Sequence, residues 1–207
     1  MKYTIGIVDY GAGNLASVTG CLKRLGYHTR QVTSPEGWYG LDAIILPGVG
    51  AFASAMASLS ASGLDDELKR WVKEGKPLIG ICLGMQLLAD QSEEFGQTQG
   101  LELIPGRVVG LSSNNAVKGA HIGWNQLRFD DAAFSSLKDF EGQDVFFNHS
   151  FQYVTKPEYQ LASTDAGERL TAIVRRQNII GIQFHPERSQ FAGQGILKSI
   201  LEDFLNA

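Results

Sequence analysis

The sequence predicts an α/β fold: a central, mostly parallel sheet with some mixed strands, flanked by helices. Three observations predict it. From Met1 to Leu88, short apolar runs alternate with amphipathic stretches of helical spacing, the pattern of βαβ units with right-handed crossovers. In Lys76–Leu88, KPLIGICLGMQLL, a fully apolar run fit for a strand buried on both faces passes directly into a helical pattern at Cys82. Beyond Gly100 the texture becomes short and β-rich before an apolar helix closes the chain.

Taken in order, Tyr3 to Asp9 reads as the first strand and runs into the glycine-rich turn Asp9-Tyr10-Gly11-Ala12-Gly13-Asn14. Leu15, Val18, Leu22 and Leu25 then recur at helical spacing until Gly26 stops them. His28 to Thr33 is a second strand, and Asp42 to Leu46 a third that leads into Pro47-Gly48-Val49-Gly50. Helices are expected around Phe52 to Leu59 and Leu64 to Lys73, before the strand ending at Cys82 and a helix from Leu83 to Leu88. The later strands fall around Arg107 to Leu111, Asn125 to Phe129, Asp144 to Phe147, Gln160 to Ser163, Thr171 to Arg175 and Ile179 to Phe184, and are expected to extend the same sheet with antiparallel or mixed pairing. Gln190 to Leu205 closes the fold as a helix that buries Ile196, Leu197, Ile200, Leu201, Phe204 and Leu205.

With 207 residues and no repeat, low-complexity tract or long linker, one domain spanning 1–207 is expected. A formal net charge of −4 without basic clusters excludes a nucleic-acid or anionic-membrane partner read from charge. No apolar run reaches membrane-spanning length and the first residues read as a strand, not a signal segment, so a cytoplasmic location is expected. Two well-separated cysteines give neither a disulfide framework nor metal-ligand spacing, and no metal or cofactor is implied. Cys21, on the apolar side of its helix, is assigned to packing.

Cys82 is different. Gly80 and Gly84 flank it two residues to either side, the spacing of a nucleophile elbow, where small residues permit a strained strand-to-helix turn that lifts one side chain above the sheet. A sulfur there meets the first N–H groups of the next helix, which favour thiolate. A thiolate needs a base and an orienting group. His185, in Gln183-Phe184-His185-Pro186-Glu187, sits where a strand should end, and active sites of open α/β sheets gather at the carboxyl ends of strands. Glu187, past the stiffening Pro186, is within reach of the second imidazole nitrogen. Attack on a carbonyl also needs two N–H donors for the oxyanion: Leu83, next to the nucleophile, and Val49, whose flanking glycines let its peptide reorient. A packed core cysteine, a strand-end histidine and an ordinary turn are the non-catalytic alternatives, each the commoner fate of such a residue alone.

The motifs DYGAGN, LPGVGAF, GICLGMQLL, HIGWN, NHSF and QFHPERS, in that order from Ile5 to Leu205, resemble the class I, triad-type glutamine amidotransferases. The resemblance implies a flavodoxin-like sheet and a glutaminase reaction. In it Cys82 attacks the side-chain amide of L-glutamine, His185 protonates the leaving ammonia, Glu187 positions His185, and water cleaves the thioester. It also implies that Gly50, Gln86, His149, Ser150 and Phe151 hold the substrate. Gln86 lies one turn beyond Cys82 on the same helix face, which suits that role. Within the family the motifs are most similar to subunits that pass ammonia to a (β/α)8-barrel cyclase, so a heterodimer is implied, with Asn14, Ser17, Trp124 and Arg188 near its docking surface. Ala120 stands where relatives usually have proline, and Phe151 where tyrosine is common. An amidotransferase subunit serving another synthase, a Cys-His peptidase or γ-glutamyl hydrolase, and a non-catalytic module are the rival readings.

Overall fold

A computed structural model of the chain describes residues 3–111, 119–131 and 133–206. The first half follows the expected alternation: β1 (Thr4–Val8), α1 (Leu15–Arg24), β2 (His28–Val32), β3 (Ala43–Gly48), α2 (Phe52–Ala61), α3 (Leu64–Lys73), β4 (Leu78–Cys82) and α4 (Leu83–Gln86). Two short strands follow, β5 (Gln91–Ser92) and β6 (Thr98–Gln99), then β7 (Arg107–Gly110), β8 (His121–Phe129), α5 (Ser135–Lys138), β9 (Asp144–His149), β10 (Phe151–Val154), β11 (Gln160–Asp165), β12 (Arg169–Arg176), β13 (Ile179–Ile182) and α6 (Gln190–Leu205).

Among the described residues, nine strands form the main sheet in the order β2-β1-β3-β4-β13-β12-β11-β8-β9. The pairings from β2 to β13 are parallel and those from β13 to β9 antiparallel, so the sheet is mixed, with its parallel half built from the N-terminal βαβ units and β13. Among the described residues, β10, β7, β5 and β6 form a separate sheet of four strands. This corrects the expectation for Arg107–Leu111: that segment pairs with Phe151–Val154, a strand the sequence reading did not pick out, and does not extend the main sheet. A second correction concerns the helix after Cys82, which ends at Gln86 and not Leu88, because Leu87–Ala89 bond instead to the returning segment at Leu101–Ile104.

Alternation along each parallel strand explains why the sheet carries helices on both faces. Ile5, Ile7, Ile45, Ile79 and Ile81 face α1 and α6, packing with Val18, Cys21, Leu22, Ile196, Leu197, Ile200 and Leu201. Val8, Ile44, Leu46 and Leu78 face α2 and α3, with Phe52, Leu59, Leu64, Leu68 and Trp71. Cys21 is wholly buried and burial pushes its thiol up to about 11, as its assignment to packing requires. Phe204 and Leu205 are only partly buried at the end of α6. Among the described residues no helix is long and apolar enough to cross a membrane.

Candidate active site

β4 lies between β3 and β13, all three parallel, with Gly48 level with Cys82 and Ile182 level with Ile81. The segments leaving their carboxyl ends are therefore neighbours: Val49-Gly50, Cys82-Leu83 and Gln183–His185. Residues separated by a hundred positions converge there, where an open α/β sheet binds ligands.

The turn at Cys82 is made in a particular way. Cys82 itself takes φ 55°, ψ −112°, outside the regions open to most side chains, while Gly80 and Gly84 keep negative or extended φ. The glycines serve close approach. A Cβ on Gly84 would lie 1.8 Å from the Leu46 carbonyl oxygen, one on Gly80 2.5 Å from the Gly84 carbonyl oxygen, and one on Gly48 2.9 Å from the Gly84 nitrogen. Three backbones, β3, β4 and α4, thus meet where only hydrogen fits. α4 is a single turn, and so short a helix carries little of the partial charge that a long helix gathers at its N-terminus.

The stronger local charge is an imidazole. His185 is 5% exposed, and its Nδ1 lies 3.0 Å from Glu187 Oε1, whose side chain is 1% exposed. Burial by itself would lower the His185 pKa. Hydrogen bonds to Cys82 and Glu187, with the charges of the same two groups, outweigh burial and raise it to about 10. Because Nδ1 is taken by Glu187, Nε2 is the nitrogen left for the sulfur and a substrate. The turn is fixed from outside as well: the His185 N–H donates to Phe146 O at 2.9 Å, and the Ser189 hydroxyl donates to His185 O at 2.6 Å.

Val49, Gly50, Cys82, Leu83, Gln86, His149, Ser150, Phe151 and His185 line one open cavity of about 430 Å³, together with Asn14 and Arg188. Ser17 and Trp124 are not among its lining residues. Trp124 is half-exposed in a separate depression that Phe191 also lines, its ring 5.9 Å from Phe146, and the Arg188 guanidinium sits 4.6 Å over the same Phe146 ring. His149 is both structural and cavity-lining. Its Nδ1–H donates to Phe151 O at 2.8 Å, and its Nε2 lies 2.9 Å from His121 Nδ1. Burial foremost, with the charges of His121 and His185, depresses it to about 4 against the Phe151 carbonyl bond that opposes the shift.

Sequence reasoning missed several lining or supporting groups, among them Glu94, Asn148 and Gln183. Glu94 is the only carboxylate lining the cavity among the described residues, held by the Phe52 N–H at the start of α2 at 2.5 Å. Asn148 offers its carbonyl oxygen to Cys82 Sγ at 3.9 Å. Gln183 is fully buried and bonds Gln86. The QFHPE motif contains Gln183, but nothing in its spacing signals which way the side chain turns. Glu94 lies in a loop whose approach to α2 is tertiary.

A buried thiol, an imidazole oriented by a carboxylate and a cavity at parallel strand ends are the arrangement that cysteine-nucleophile acyl transfer requires. The profile of "Glutamine amidotransferase class-I" matches residues 6–204, and the chain belongs to that family. Curated relatives narrow the class to imidazole glycerol phosphate synthase subunit HisH proteins. The one from Halalkalibacterium halodurans is 46% identical over 202 residues, covering 94% of each chain. That from Carboxydothermus hydrogenoformans is 44% identical, covering 95% of this chain and 98% of its own. Among solved structures, PurLQS from Thermotoga maritima has the same fold, with TM-score 0.77 at 21% identity over 98% of this chain and 99% of that one.

Proposed function

We propose that the chain is the glutaminase subunit of an imidazole glycerol phosphate synthase, working in the cytoplasm as a single domain that uses Cys82, His185 and Glu187 on L-glutamine. The observation that carries the site assignment is the convergence of Cys82 and the Glu187-bound His185 on one cavity.

Cys82 Sγ attacks the γ-carboxamide carbon, forming a C–S bond and placing the negative charge on the carbonyl oxygen. The N–H groups of Leu83 and Val49 receive that charge. His185 Nε2–H protonates the leaving nitrogen, the C–N bond breaks and ammonia departs, leaving a glutamyl thioester. Water then attacks the thioester with His185 as base, releasing glutamate and restoring the sulfur. The amide and α-groups of glutamine lie along Gly50, Gln86, His149, Ser150 and Phe151, and the substrate's α-ammonium pairs with Glu94. Phe151 contributes through its backbone, so the hydroxyl of a tyrosine is not required there.

Ammonia released into bulk water is largely protonated and no longer nucleophilic, which favours a closed path into a partner. That partner is a (β/α)8-barrel cyclase that takes the ammonia and a phosphoribulosyl formimino aminoimidazole carboxamide ribonucleotide to imidazole glycerol phosphate. Asn14, Ser17, Trp124 and Arg188 form the docking face. Exposed Trp124 and Phe191 beside the cationic Arg188 suit such an interface.

The experiment is glutamine hydrolysis by the purified chain alone, with the cyclase, and with the cyclase and its nucleotide ligand. Activity should be low alone and rise with each addition. Robust hydrolysis of peptides or γ-glutamyl conjugates by the chain alone would replace this reading with a peptidase or γ-glutamyl hydrolase.

A further inference from the structure

Gln183 follows Ile182, the last residue of β13, which is level with Ile81 just before Cys82 in the parallel β13–β4 pairing, and its side chain is fully buried. Its orientation is decided by a group two hydrogen bonds away. The Phe151 carbonyl oxygen can only accept, so the Gln86 Nε2 that lies 3.0 Å from it must donate. The other hydrogen on the same nitrogen reaches Gln183 Oε1 at 3.0 Å. Gln183 therefore turns its oxygen to Gln86 and its NH2 to the nucleophile, where Nε2 stands 4.0 Å from Cys82 Sγ. The Asn148 carbonyl oxygen, 3.9 Å from the same sulfur, can only accept and so suits the thiol.

We propose that Gln183 is a positioning residue for the nucleophile, presenting to Cys82 Sγ an N–H that a thiolate accepts far more strongly than a thiol. Through Gln86 it ties the sulfur to Phe151, so the strand end that lines the cavity and the nucleophile share one directed chain of hydrogen bonds. A hydrogen bond to an ionised acceptor is worth more than one to a neutral acceptor, so the donor shifts the balance towards thiolate. A buried glutamine that merely satisfied Gln86 would need only its oxygen. The inference rests on Cys82 being the nucleophile.

The test is alkylation of the full-length chain by iodoacetamide across a pH series, read at Cys82 by peptide mass with buried Cys21 as internal control, together with glutaminase kinetics of the complex. Gln183→Glu keeps an acceptor for Gln86 and removes the donor to sulfur. It should displace the alkylation profile to higher pH and lower kcat about tenfold, with KM within about twofold. Gln183→Met removes the donor without adding charge and should displace the profile in the same direction, which decides the matter if the glutamate variant does not fold. An undisplaced profile in a folded variant, or a raised KM with unchanged kcat, overturns the inference. Cys82→Ala is the control that separates failures: hydrolysis surviving in it removes the nucleophile assignment itself, whereas its loss alongside an unmoved Gln183 profile removes only the role of Gln183.

Discussion

A Cβ placed on Gly84 would stand 1.8 Å from the carbonyl oxygen of Leu46, so α4 and β3 touch backbone to backbone directly beneath Cys82. Neither partner is a flexible side chain, and the strain cannot be relieved by a rotamer change. Gly84→Ala should therefore cost at least about 3 kcal/mol in urea unfolding and lower glutaminase activity with it. A loss below about 1 kcal/mol would mean that the contact at the elbow is looser than its geometry.

The pairing of His185 with Cys82 and Glu187 predicts a pH dependence. Its pKa is raised above the free value of 6.5 to about 10 in the folded chain, so folded protein holds the proton more tightly than unfolded protein. The stabilisation is fully present below pH 6.5 and is lost as pH rises through about 10. Melting temperatures of the parent and His185→Ala across that window should converge at its alkaline end. A gap that stays constant with pH would show that the imidazolium contributes nothing to folding.

His149 has the opposite sign. Its pKa is depressed to about 4, so between there and 6.5 the unfolded chain binds the proton that the folded chain refuses. Stability should fall as pH drops through this interval, by on the order of 2–3 kcal/mol at most. His149→Gln should flatten that part of the profile, and an unchanged slope in denaturant titrations would assign the acid sensitivity elsewhere.

Division of labour between the two reactions gives a sharper result. Cys82→Ala should abolish glutamine-dependent synthesis by the complex while leaving synthesis from supplied ammonium salts intact. If both are lost, the sulfur is needed for something besides releasing ammonia.

Trp124, 45% exposed on β8 and edge-on to Phe146, is the apolar anchor of the proposed docking face. Trp124→Ala should weaken cyclase binding at least about tenfold in titration calorimetry, with the fold unchanged. Unaltered affinity would move the interface off this strand.

Much of the site was legible in local patterns because its parts sit at strand ends, and strand ends are marked by apolar runs meeting glycine or proline. Cys82 between Gly80 and Gly84, and His185 before Pro186, are such places. The closing α6, with Ile196, Leu197, Ile200 and Leu201 inward, was equally plain. Phe151–Val154 was not, since its two partly buried first residues blur the alternation that marks a strand. Its pairing with Arg107–Gly110, which moves that segment into a second sheet, depends on contacts between positions some forty residues apart.

The sequence by itself determined the βαβ half, the elbow and the types of group that chemistry at a cysteine requires, because each is encoded in spacings of a few residues. Tertiary structure alone decided that β13 inserts beside β4 and brings His185 to Cys82, that Glu94 reaches the cavity from a loop, and which way Gln183 turns its amide. Those outcomes depend on which strands pair and which acceptors face one another across the packed interior, and no local run of residues contains that information.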